Sequence, residues 1–265
     1  MIECIGIVIP ARDEEERIEA CLESIRAAIQ AVPVPCHVIV VADSCTDTTV
    51  ERAEAFGGVH VMAVNVGIVG AARALGVRRL LEGTRTPAER LWIANTDADS
   101  VVPENWLSSQ LALADAGCDV IIGTVRPHDA EYPAELWPHW RQRHPVGRAN
   151  GHVHGANLGV RASAYCAGGG FPSVEEHEDV ALVEALSDFR VVASDEAEVV
   201  TSARLEGRTP GGYAAFLRRE RMQLMDGHAL SPAGPERVVL VVGGEDVFEV
   251  RAAEELQHRE VGLAV

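Results

Sequence analysis

The sequence predicts an α/β fold in which helices cover both faces of a mostly parallel, Rossmann-like central sheet. Short aliphatic runs alternate with segments of helical periodicity through residue 123, a pattern typical of parallel sheets. The chain has 265 residues, of which 47% are hydrophobic, so it can bury a sizeable core. Polar residues follow several of the aliphatic runs, at the sheet edge where such folds bind ligands.

The first half of the chain is predicted to contain five strands and four helices. In the first helix, aliphatic side chains recur at helical spacing from Ile18 to Ile29, and acidic residues 14–16 suit a helix N-terminus. The strands are predicted at 5–9, 37–41, 59–64, 90–94 and 119–123, and the helices at 14–29, 46–56, 70–81 and 107–116.

The second half is less regular. From Arg126 to Gly151 the periodicity is lost, which predicts a loop-rich segment or a mobile lid. Helices are predicted again at 176–186 and 211–225, with short strands at 190–194 and 197–201. After Pro232 we expect a hairpin at 238–248 and then an amphipathic helix, without a chemical motif.

The charge balance excludes several classes of function. The net charge is −17, which argues against a nucleic-acid partner because phosphate backbones are bound by clustered cations. All 23 basic residues are arginines. The absence of lysine removes Schiff-base and pyridoxal chemistry, and also the P-loop, whose lysine contacts the phosphates.

The cysteines and the hydropathy indicate a cytoplasmic setting. Six cysteines are scattered without a C-x-x-C pair, which predicts neither a disulfide framework nor a zinc site. No apolar run approaches the ~20 residues of a membrane span, and no signal peptide is expected. We therefore expect a cytoplasmic protein without a transmembrane segment, and peripheral association with a membrane stays open.

Carboxylates follow the first, second and fourth predicted strands. Asp97 and Asp99 come after the strand at 90–94, and residues i and i+2 of a strand point to the same side. Glu14 and Asp43 follow the other two strands. Each one alone is equally typical of a cap or a turn. Together they favour a site for a hard divalent cation, whose shell substrate phosphates would complete.

The motifs as a set resemble those of the inverting glycosyltransferases of family 2, which have the GT-A fold. The resemblance covers residues 2 to about 220 in the family's order. Its elements are Ile9–Glu14, Val41–Asp47, Asn65–Arg73, Thr96–Asp99, His154–Asn157 and His177–Asp179. It implies a nucleotide-diphosphate-sugar donor, Mn²⁺ or Mg²⁺ as cofactor, and an acceptor hydroxyl on a small molecule or lipid.

The resemblance also implies a division of the chain. Residues 1–125 would form the nucleotide-sugar-binding half of the GT-A domain, and residues 126–231 its acceptor-binding half. Residues 232–265 would be a C-terminal tail of unknown role. The Q-x-x-R-W signature of processive polysaccharide synthases is absent, which favours the transfer of a single sugar.

On the donor side, the resemblance implies roles for residues in four motifs. Asp43 would accept a hydrogen bond from the base, which favours uracil or guanine. The family usually has two aspartates where this chain has Ala42 and Asp43. Arg73 would contact the ribose-phosphate region, with a solvated helix arginine as the alternative. The residues that would border the nucleoside are Pro10, Ala11 and Glu14.

For the reaction, the resemblance implies a cation site and a base. Asp97 would hold the ribose or the metal, and Asp99 the metal that bridges the diphosphate. Asp179, with Glu178 beside it, would accept the proton of the acceptor hydroxyl. The alternative is that both carboxylates only complement the dipole of their helix.

Three further sets of residues border this predicted site. Gly155 and Asn157 would shape the acceptor pocket, and Arg204 and Arg208 would contact the diphosphate. His152 and His154 are either metal ligands or surface histidines. Trp137 and Trp140 either stack on the acceptor or pack locally.

Other classes of protein fit these motifs less well. A dinucleotide-binding oxidoreductase requires a G-x-G-x-x-G turn after the first strand, where this chain has Pro10 to Glu14. A sugar-phosphate nucleotidyltransferase usually has a glycine-rich loop and a lysine, which are missing here. A retaining GT-A glycosyltransferase and a non-catalytic nucleotide-sugar-binding relative stay open as alternatives.

Overall fold

The computed structural model describes residues 1–207, 209, 211–225, 240–242 and 249–251. Eight strands form its central sheet: β1 (Cys4–Ala11), β2 (Cys36–Asp43), β3 (His60–Val64), β4 (Leu91–Asn95), β5 (Ser100–Val101), β6 (Val120–Pro127), β7 (Leu158–Arg161) and β8 (Val191–Thr201). Their order across the sheet is β3-β2-β1-β4-β7-β6-β8-β5. This order places β1 and β4 near the centre, where strands are shielded on both sides.

The sheet is mixed, with more parallel than antiparallel pairings. Strands β3, β2, β1 and β4 run parallel to one another, and so do β6 and β8. Strand β7 runs antiparallel between β4 and β6, and β5 is antiparallel to β8. The predicted α/β fold with a mostly parallel sheet is therefore confirmed. Because β1, β2 and β4 are parallel, their carboxyl ends lie at one edge.

Helices cover both faces of the sheet. They are α1 (Ile18–Gln30), α2 (Thr49–Phe56), α3 (Val69–Gly83), α4 (Trp106–Asp115), α5 (Trp137–Arg143), α6 (Ala162–Ala167), α7 (Glu178–Ala185) and α8 (Tyr213–Met225). Alternate residues of β1 enter two different cores. Ile7 packs with α1 and α4, whereas Val8 packs with α3 and α7. This alternation is the period of two expected of a strand with two covered faces.

The five strands and four helices predicted in the first half are all present, with one informative difference. Helix α1 begins at Ile18, four residues later than predicted. The backbone N–H of Glu14 donates to Thr49 Oγ1 at 2.7 Å, and that of Glu15 to Asp47 Oδ2 at 3.0 Å. These contacts with the start of α2 hold residues 13–17 in turns, so tertiary hydrogen bonds override the acidic helix-start signal.

The second half contains elements that the sequence did not predict. Strand β7 was missed because Leu158–Arg161 is short and contains a glycine, and its strand state depends on pairing with β4 and β6. Helix α5 lies in the segment predicted to be loop-rich. The two short strands predicted near residues 190–201 are one strand, β8, whose register against β6 shifts between Gly123 and Val125.

The tail is described only in part. Strands β9 (Leu240–Val242) and β10 (Glu249–Arg251) pair antiparallel, and the second strand begins one residue after the end of the hairpin predicted at 238–248. The amphipathic helix predicted after them lies outside the described residues. The division at residues 125 and 231 stays a prediction. In the described part of the chain, every helix is too short or too polar to cross a bilayer.

Close packing of α3 on the sheet generates a stability prediction. A Cβ at Gly76 would lie 2.6 Å from Val8 Cγ1 and 2.9 Å from Val41 Cγ2, both on buried strands. Gly76→Ala should therefore lower the free energy of unfolding by ~1–3 kcal/mol, despite the better helix propensity of alanine. Chemical denaturation measures this change.

Gly83→Ala in the same helix is the matched control. A Cβ at Gly83 would meet only the end of the flexible Arg79 side chain, at 3.2 Å. This variant should be as stable as the unsubstituted protein or slightly more stable. Equal destabilisation by the two substitutions would contradict the proposed contact of α3 with the sheet.

Candidate active site

Polar side chains at the carboxyl edge of the sheet line two adjoining cavities. The first cavity, of about 250 Å³, is lined by Pro10, Ala11, Glu14, Asp43, Asp97, Asp99 and Arg204, among others. The second cavity, of about 210 Å³, is lined among others by Arg73, Asp97, Gly155, Glu178 and Asp179. Asp97 borders both. The structure therefore brings together most of the residues that the sequence singled out.

Asp43, the last residue of β2, is buried at the first cavity. Its Oδ1 accepts hydrogen bonds from the backbone N–H groups of Val66, at 2.8 Å, and Gly67, at 3.0 Å. The hydroxyl of Ser44 donates to the same oxygen at 3.0 Å. These bonds tie the loop after β3 to the end of β2, so Asp43 shapes one wall of the cavity.

Asp97 and Asp99 lie in a turn, not on a strand. Strand β4 ends at Asn95, and the backbone N–H of Ser100 donates to the Asp97 carbonyl at 3.1 Å. The argument from strand alternation was therefore wrong, although both side chains do line the first cavity. The Asp97 side chain is 36% exposed and that of Asp99 only 10%.

Arg204 connects two carboxylates of the first cavity, Glu14 and Asp99. It donates a hydrogen bond to Glu14 Oε1 at 2.8 Å and forms an ion pair with Asp99 Oδ2 at 2.7 Å. Burial, followed by the charge of Asp97, nevertheless raises the pKa of Asp99 to about 6, with Arg204 acting in the opposite direction. Arg208, predicted beside Arg204, lies outside the described residues.

The first cavity fits a divalent cation by the chemistry of its donors. Asp97, Asp99 and Glu14 supply carboxylate oxygens, the ligands that Mg²⁺ and Mn²⁺ take in proteins. Burial is the main cause of the raised pKa of Asp99, and the negative charge of Asp97 adds to it. Asp97 and Asp99 are therefore the residues suited to hold a cation here.

A second acidic cluster lies beside the first cavity. Ligand atoms of Asp13, Cys45 and Asp47 come within 4.8 Å of one another. The carboxylates already accept bonds from the backbone: Asp13 from Thr46 at 2.6 Å, and Asp47 from Thr49 at 2.9 Å. These bonds give the two carboxylates a structural role, which is to hold the turn that precedes α2.

Arg73 is buried between the two cavities, and its side chain is 2% exposed. Its Nη2 donates to Asp97 Oδ1 at 2.5 Å, and its Nε donates to Glu178 Oε1 at 3.3 Å. The solvated-arginine alternative is therefore wrong. Arg73 lines the second cavity and does not appear on the wall of the first, where a ribose-phosphate contact was expected.

Glu178 and Asp179 are the first two residues of α7 and face the second cavity. Asp179 Oδ2 accepts a hydrogen bond from the backbone N–H of Gly155 at 2.7 Å, and Oδ1 accepts one from Val180 at 2.8 Å. Burial raises the pKa of Asp179. Burial and then the charge of Asp179 raise the pKa of Glu178 to about 7, although Arg73 opposes this.

The structure corrects the role predicted for Asn157. Its Nδ2 donates to the carbonyls of Thr124, at 2.9 Å, and Ala197, at 2.8 Å, while its Oδ1 accepts from Trp106 Nε1 at 2.9 Å. The side chain is buried and lines neither cavity, so it has no group to offer an acceptor. Asn157 instead joins α4, β6 and β8 behind the site.

The histidines and tryptophans belong to one aromatic cluster. His152 and His154 lie with ring centroids 6.2 Å apart, and His154 lies 5.9 Å from Tyr213. Burial, reinforced by the neighbouring His152, lowers the pKa of His154 to about 3, so its ring is neutral. Trp140 is buried, which favours local packing over contact with an acceptor. His152 and His154 are partly exposed and pack against aromatic rings, and no metal-binding group of the described residues includes them, so the metal-ligand alternative for this pair gains no support.

Sequence reasoning missed Tyr213, which lines both cavities at the start of α8. It also missed the partners of Arg73. The sequence does contain a signal for Tyr213, an aromatic residue after the turn-forming pair Gly211 and Gly212. No local pattern marks the partners of Arg73, since they lie 24 and 105 residues away.

The fold and the carboxylate-lined edge define a domain of the GT-A type, the architecture of a large class of glycosyltransferases. Residues 6–175, more than half of the chain, match the sequence profile described as Glycosyl transferase family 2. The chain therefore belongs to glycosyl transferase family 2. No curated protein is similar enough in sequence to match it.

Several solved structures share the fold. Residues 1–349 of TarS from S. aureus with UDP-GlcNAc are 17% identical at a TM-score of 0.57, covering 80% of this chain and 62% of that one. The mannosyltransferase PcManGT from Pyrobaculum calidifontis with GDP-Man and Mn²⁺ is 19% identical (TM-score 0.56, coverage 88% and 66%).

A third similar structure is the glucosyl-3-phosphoglycerate synthase of Mycobacterium tuberculosis with Mn²⁺, UDP-glucose and glycerol 3-phosphate. It is 17% identical at a TM-score of 0.51, covering 85% of this chain and 79% of that one. The chain thus spans 62% of the TarS fragment's length. At these identities the likeness establishes the shared fold.

The position of Asn157 generates a prediction. Asn157→Ala would leave Trp106 Nε1 and the carbonyls of Thr124 and Ala197 without their buried partner. Because each buried group left unpaired costs ~1–3 kcal/mol, the free energy of unfolding should fall by at least ~3 kcal/mol. Chemical denaturation measures it.

Asn105→Ala is the control, because Asn105 is exposed and its side chain donates a hydrogen bond to the Glu196 carbonyl at 2.8 Å. Its substitution should cost no more than ~0.5 kcal/mol. A stable Asn157→Ala protein that only loses acceptor affinity would restore the original prediction for this residue.

Proposed function

We propose that the protein is a metal-dependent glycosyltransferase that moves one sugar from a UDP- or GDP-sugar to an acceptor hydroxyl, with inversion at the sugar carbon. The observation that carries the proposal is the pair of adjoining cavities. One is lined by carboxylates suited to a cation, and the other by the carboxylate pair of α7, with Asp97 between them. Membership of glycosyl transferase family 2 supports the same class of reaction.

The donor would occupy the first cavity. A carboxylate such as Asp43 accepts a hydrogen bond from a base that carries a ring N–H, a property of uracil and guanine. Pro10, Ala11 and Glu14 would border the nucleoside. Structures with the same fold were solved with UDP-GlcNAc, with GDP-Man and Mn²⁺, and with UDP-glucose and Mn²⁺, which supports this class of donor.

Asp97 and Asp99 would hold Mn²⁺ or Mg²⁺. A bound cation supplies charge neutralisation for the departing diphosphate, which this chain cannot obtain from lysine. Arg204 adds a guanidinium at the same wall, and Arg208 is its proposed companion. Because Arg204 already pairs with Glu14 and Asp99, it lies within reach of an anion bound beside these residues.

The acceptor would enter the second cavity, where Asp179 is the proposed general base. Its carboxylate removes the hydroxyl proton as the oxygen forms a bond to the sugar carbon. The bond from that carbon to the diphosphate oxygen breaks at the same time, and the nucleoside diphosphate leaves with the electron pair. Asp179 is preferred to Glu178 because Glu178 is already paired with Arg73. Gly155 holds Asp179 in place through its backbone N–H.

Two other functions stay possible for this site. A retaining glycosyltransferase would use the same donor and cation but give the opposite product anomer, which NMR of the product identifies. A non-catalytic relative would bind the donor without turnover. We favour a catalyst because the α7 carboxylates face the second cavity with pKa values raised by burial, a common property of acids and bases in active sites.

Donor binding should depend on Asp99. Asp99→Asn should abolish the Mn²⁺-dependent part of UDP or GDP binding, measured by calorimetry after a thermal-shift screen of UDP- and GDP-sugars. The fold should stay intact, because burial and the neighbouring Asp97 already disfavour the Asp99 charge. The control is Asp47→Asn in the second acidic cluster, which should keep the affinity. Loss of binding in Asp47→Asn alone would move the metal site to that cluster.

Turnover should depend on Asp179. Asp179→Asn should keep donor affinity, while transfer to water or to an acceptor, followed as release of the nucleoside diphosphate, falls roughly 10²–10⁴-fold. The control is Glu178→Gln, which should slow transfer less, because Glu178 is not the proposed proton acceptor. If the carboxylates only complement the dipole of α7, Asp179→Asn should cost ~0.3–1 kcal/mol of stability and little activity.

A further inference from the structure

Arg73 contacts two carboxylates of the second cavity, one of which also lines the first. Arg73 donates to Asp97, which lines both cavities, and to Glu178, which lines only the second. The two bonds leave from Nη2 and Nε, which are held in one plane by the guanidinium group. Because these two donors have a fixed geometry, both bonds form only when both carboxylates are correctly placed. A lysine ammonium has no such fixed pair of donors.

Two glycines make room for Arg73 and for its partner Glu178. A Cβ at Gly155 would overlap Arg73 Nη2, and a Cβ at Gly70 would lie 2.8 Å from the Glu178 Cβ. The ring of Phe171 closes another side, 5.8 Å from the guanidinium carbon. Gly155 also donates to Asp179, so the residue that makes room for Arg73 holds the proposed base as well.

Two features of the Arg73 ion pairs are unfavourable for stability. Arg73 Nη1 is buried without a hydrogen-bond partner in the described part of the chain, and a buried donor left unpaired is destabilising. The single positive charge is also shared between two carboxylates. If one carboxylate becomes neutral, the guanidinium is no longer drawn toward it and can pair more closely with the other.

We propose that Arg73 is a positioning residue that couples the two cavities, so that the charge of Glu178 sets how firmly Asp97 is held. The inference rests on the proposed function for the identity of the donor site at Asp97. Neutralising Glu178 would strengthen the pull of Arg73 on Asp97 and weaken the hold of Asp97 on a cation. By linkage, a cation at Asp97 would release Arg73 toward Glu178.

The test is a double-mutant cycle read by donor-site affinity. Calorimetry measures Mn²⁺-dependent binding of UDP or GDP to four proteins: the unsubstituted chain, Glu178→Gln, Arg73→Met, and the double variant. Glu178→Gln should weaken binding at least roughly threefold when Arg73 is present and should change it little when Arg73 is absent. Equal effects of Glu178→Gln in both backgrounds, or none in either, would overturn the coupling.

Asp179→Asn is the matched control, since Asp179 neighbours Glu178 and its hydrogen bonds go to the backbone of Gly155 and Val180. Its effect on the affinity should depend on Arg73 less than that of Glu178→Gln, because Asp179 interacts with Arg73 only through the attraction of their charges. If Arg73→Met does not fold, as its circular dichroism would show, Arg73→Lys completes the cycle, because an ammonium keeps the charge and loses the two-pronged contact.

A second cycle needs no ligand and separates this inference from the proposed function. Chemical denaturation measures the free energy of unfolding of Asp97→Asn, Glu178→Gln and the variant with both substitutions. The changes caused by the two substitutions should be non-additive when Arg73 is present and closer to additive in the Arg73→Lys background. If the protein shows this non-additivity but binds no nucleotide, the proposed donor is contradicted and the coupling through Arg73 is still supported. Additivity in both backgrounds would remove the coupling, whatever the donor affinity.

Discussion

The structure depends on the compensation of carboxylates that lie together, partly or fully buried, at one edge of the sheet. The parallel strands β1 and β4, together with helix α7, bring five of them to the two cavities: Glu14, Asp97, Asp99, Glu178 and Asp179. Buried charges are strongly destabilising unless they are paired. Arg204 pairs with Glu14 and Asp99, and Arg73 pairs with Asp97 and Glu178. Two arginines therefore pair with four of the five carboxylates. At Asp99 the ion pair with Arg204 only partly offsets the effects of burial and of Asp97, which raise its pKa to about 6.

The rest of the fold fixes the positions of these charges. Gly76 lets α3, which carries Arg73, approach the strands that carry Val8 and Val41. Behind the second cavity, Asn157 joins α4, β6 and β8 through three hydrogen bonds. Two of them are donated to backbone carbonyls where the register between β6 and β8 shifts. The charged edge thus rests on closely packed elements, which limits how far its ion pairs can move.

The predictable part of the site was the part encoded locally. The aliphatic runs predicted β1, β2 and β4, and parallel pairing then predicted that Asp43, Asp97 and Asp99 share an edge. The ion pairs of Arg73 and the burial of Asn157 could not be predicted, because their partners lie far away in the sequence. Strand β7 was missed for the same reason, since its four residues are a strand only through their neighbours. Spacing gives the face of an element, but not the distant group that it meets.

Backbone strain is concentrated where the chain delivers these charges. In the described part of the chain, the non-glycine residues with positive φ are Asp13, at 47°, Ser44, at 57°, and His177, at 60°. Each is adjacent to a site carboxylate, namely Glu14, Asp43 and Glu178 respectively. Such conformations cost on the order of 1–3 kcal/mol each and persist only when the surrounding structure enforces them. Strain and uncompensated charge therefore coincide at one edge, and both oppose folding. Their coincidence there is expected of an arrangement kept for ligand binding and chemistry, because a domain arranged only for stability would have relaxed both.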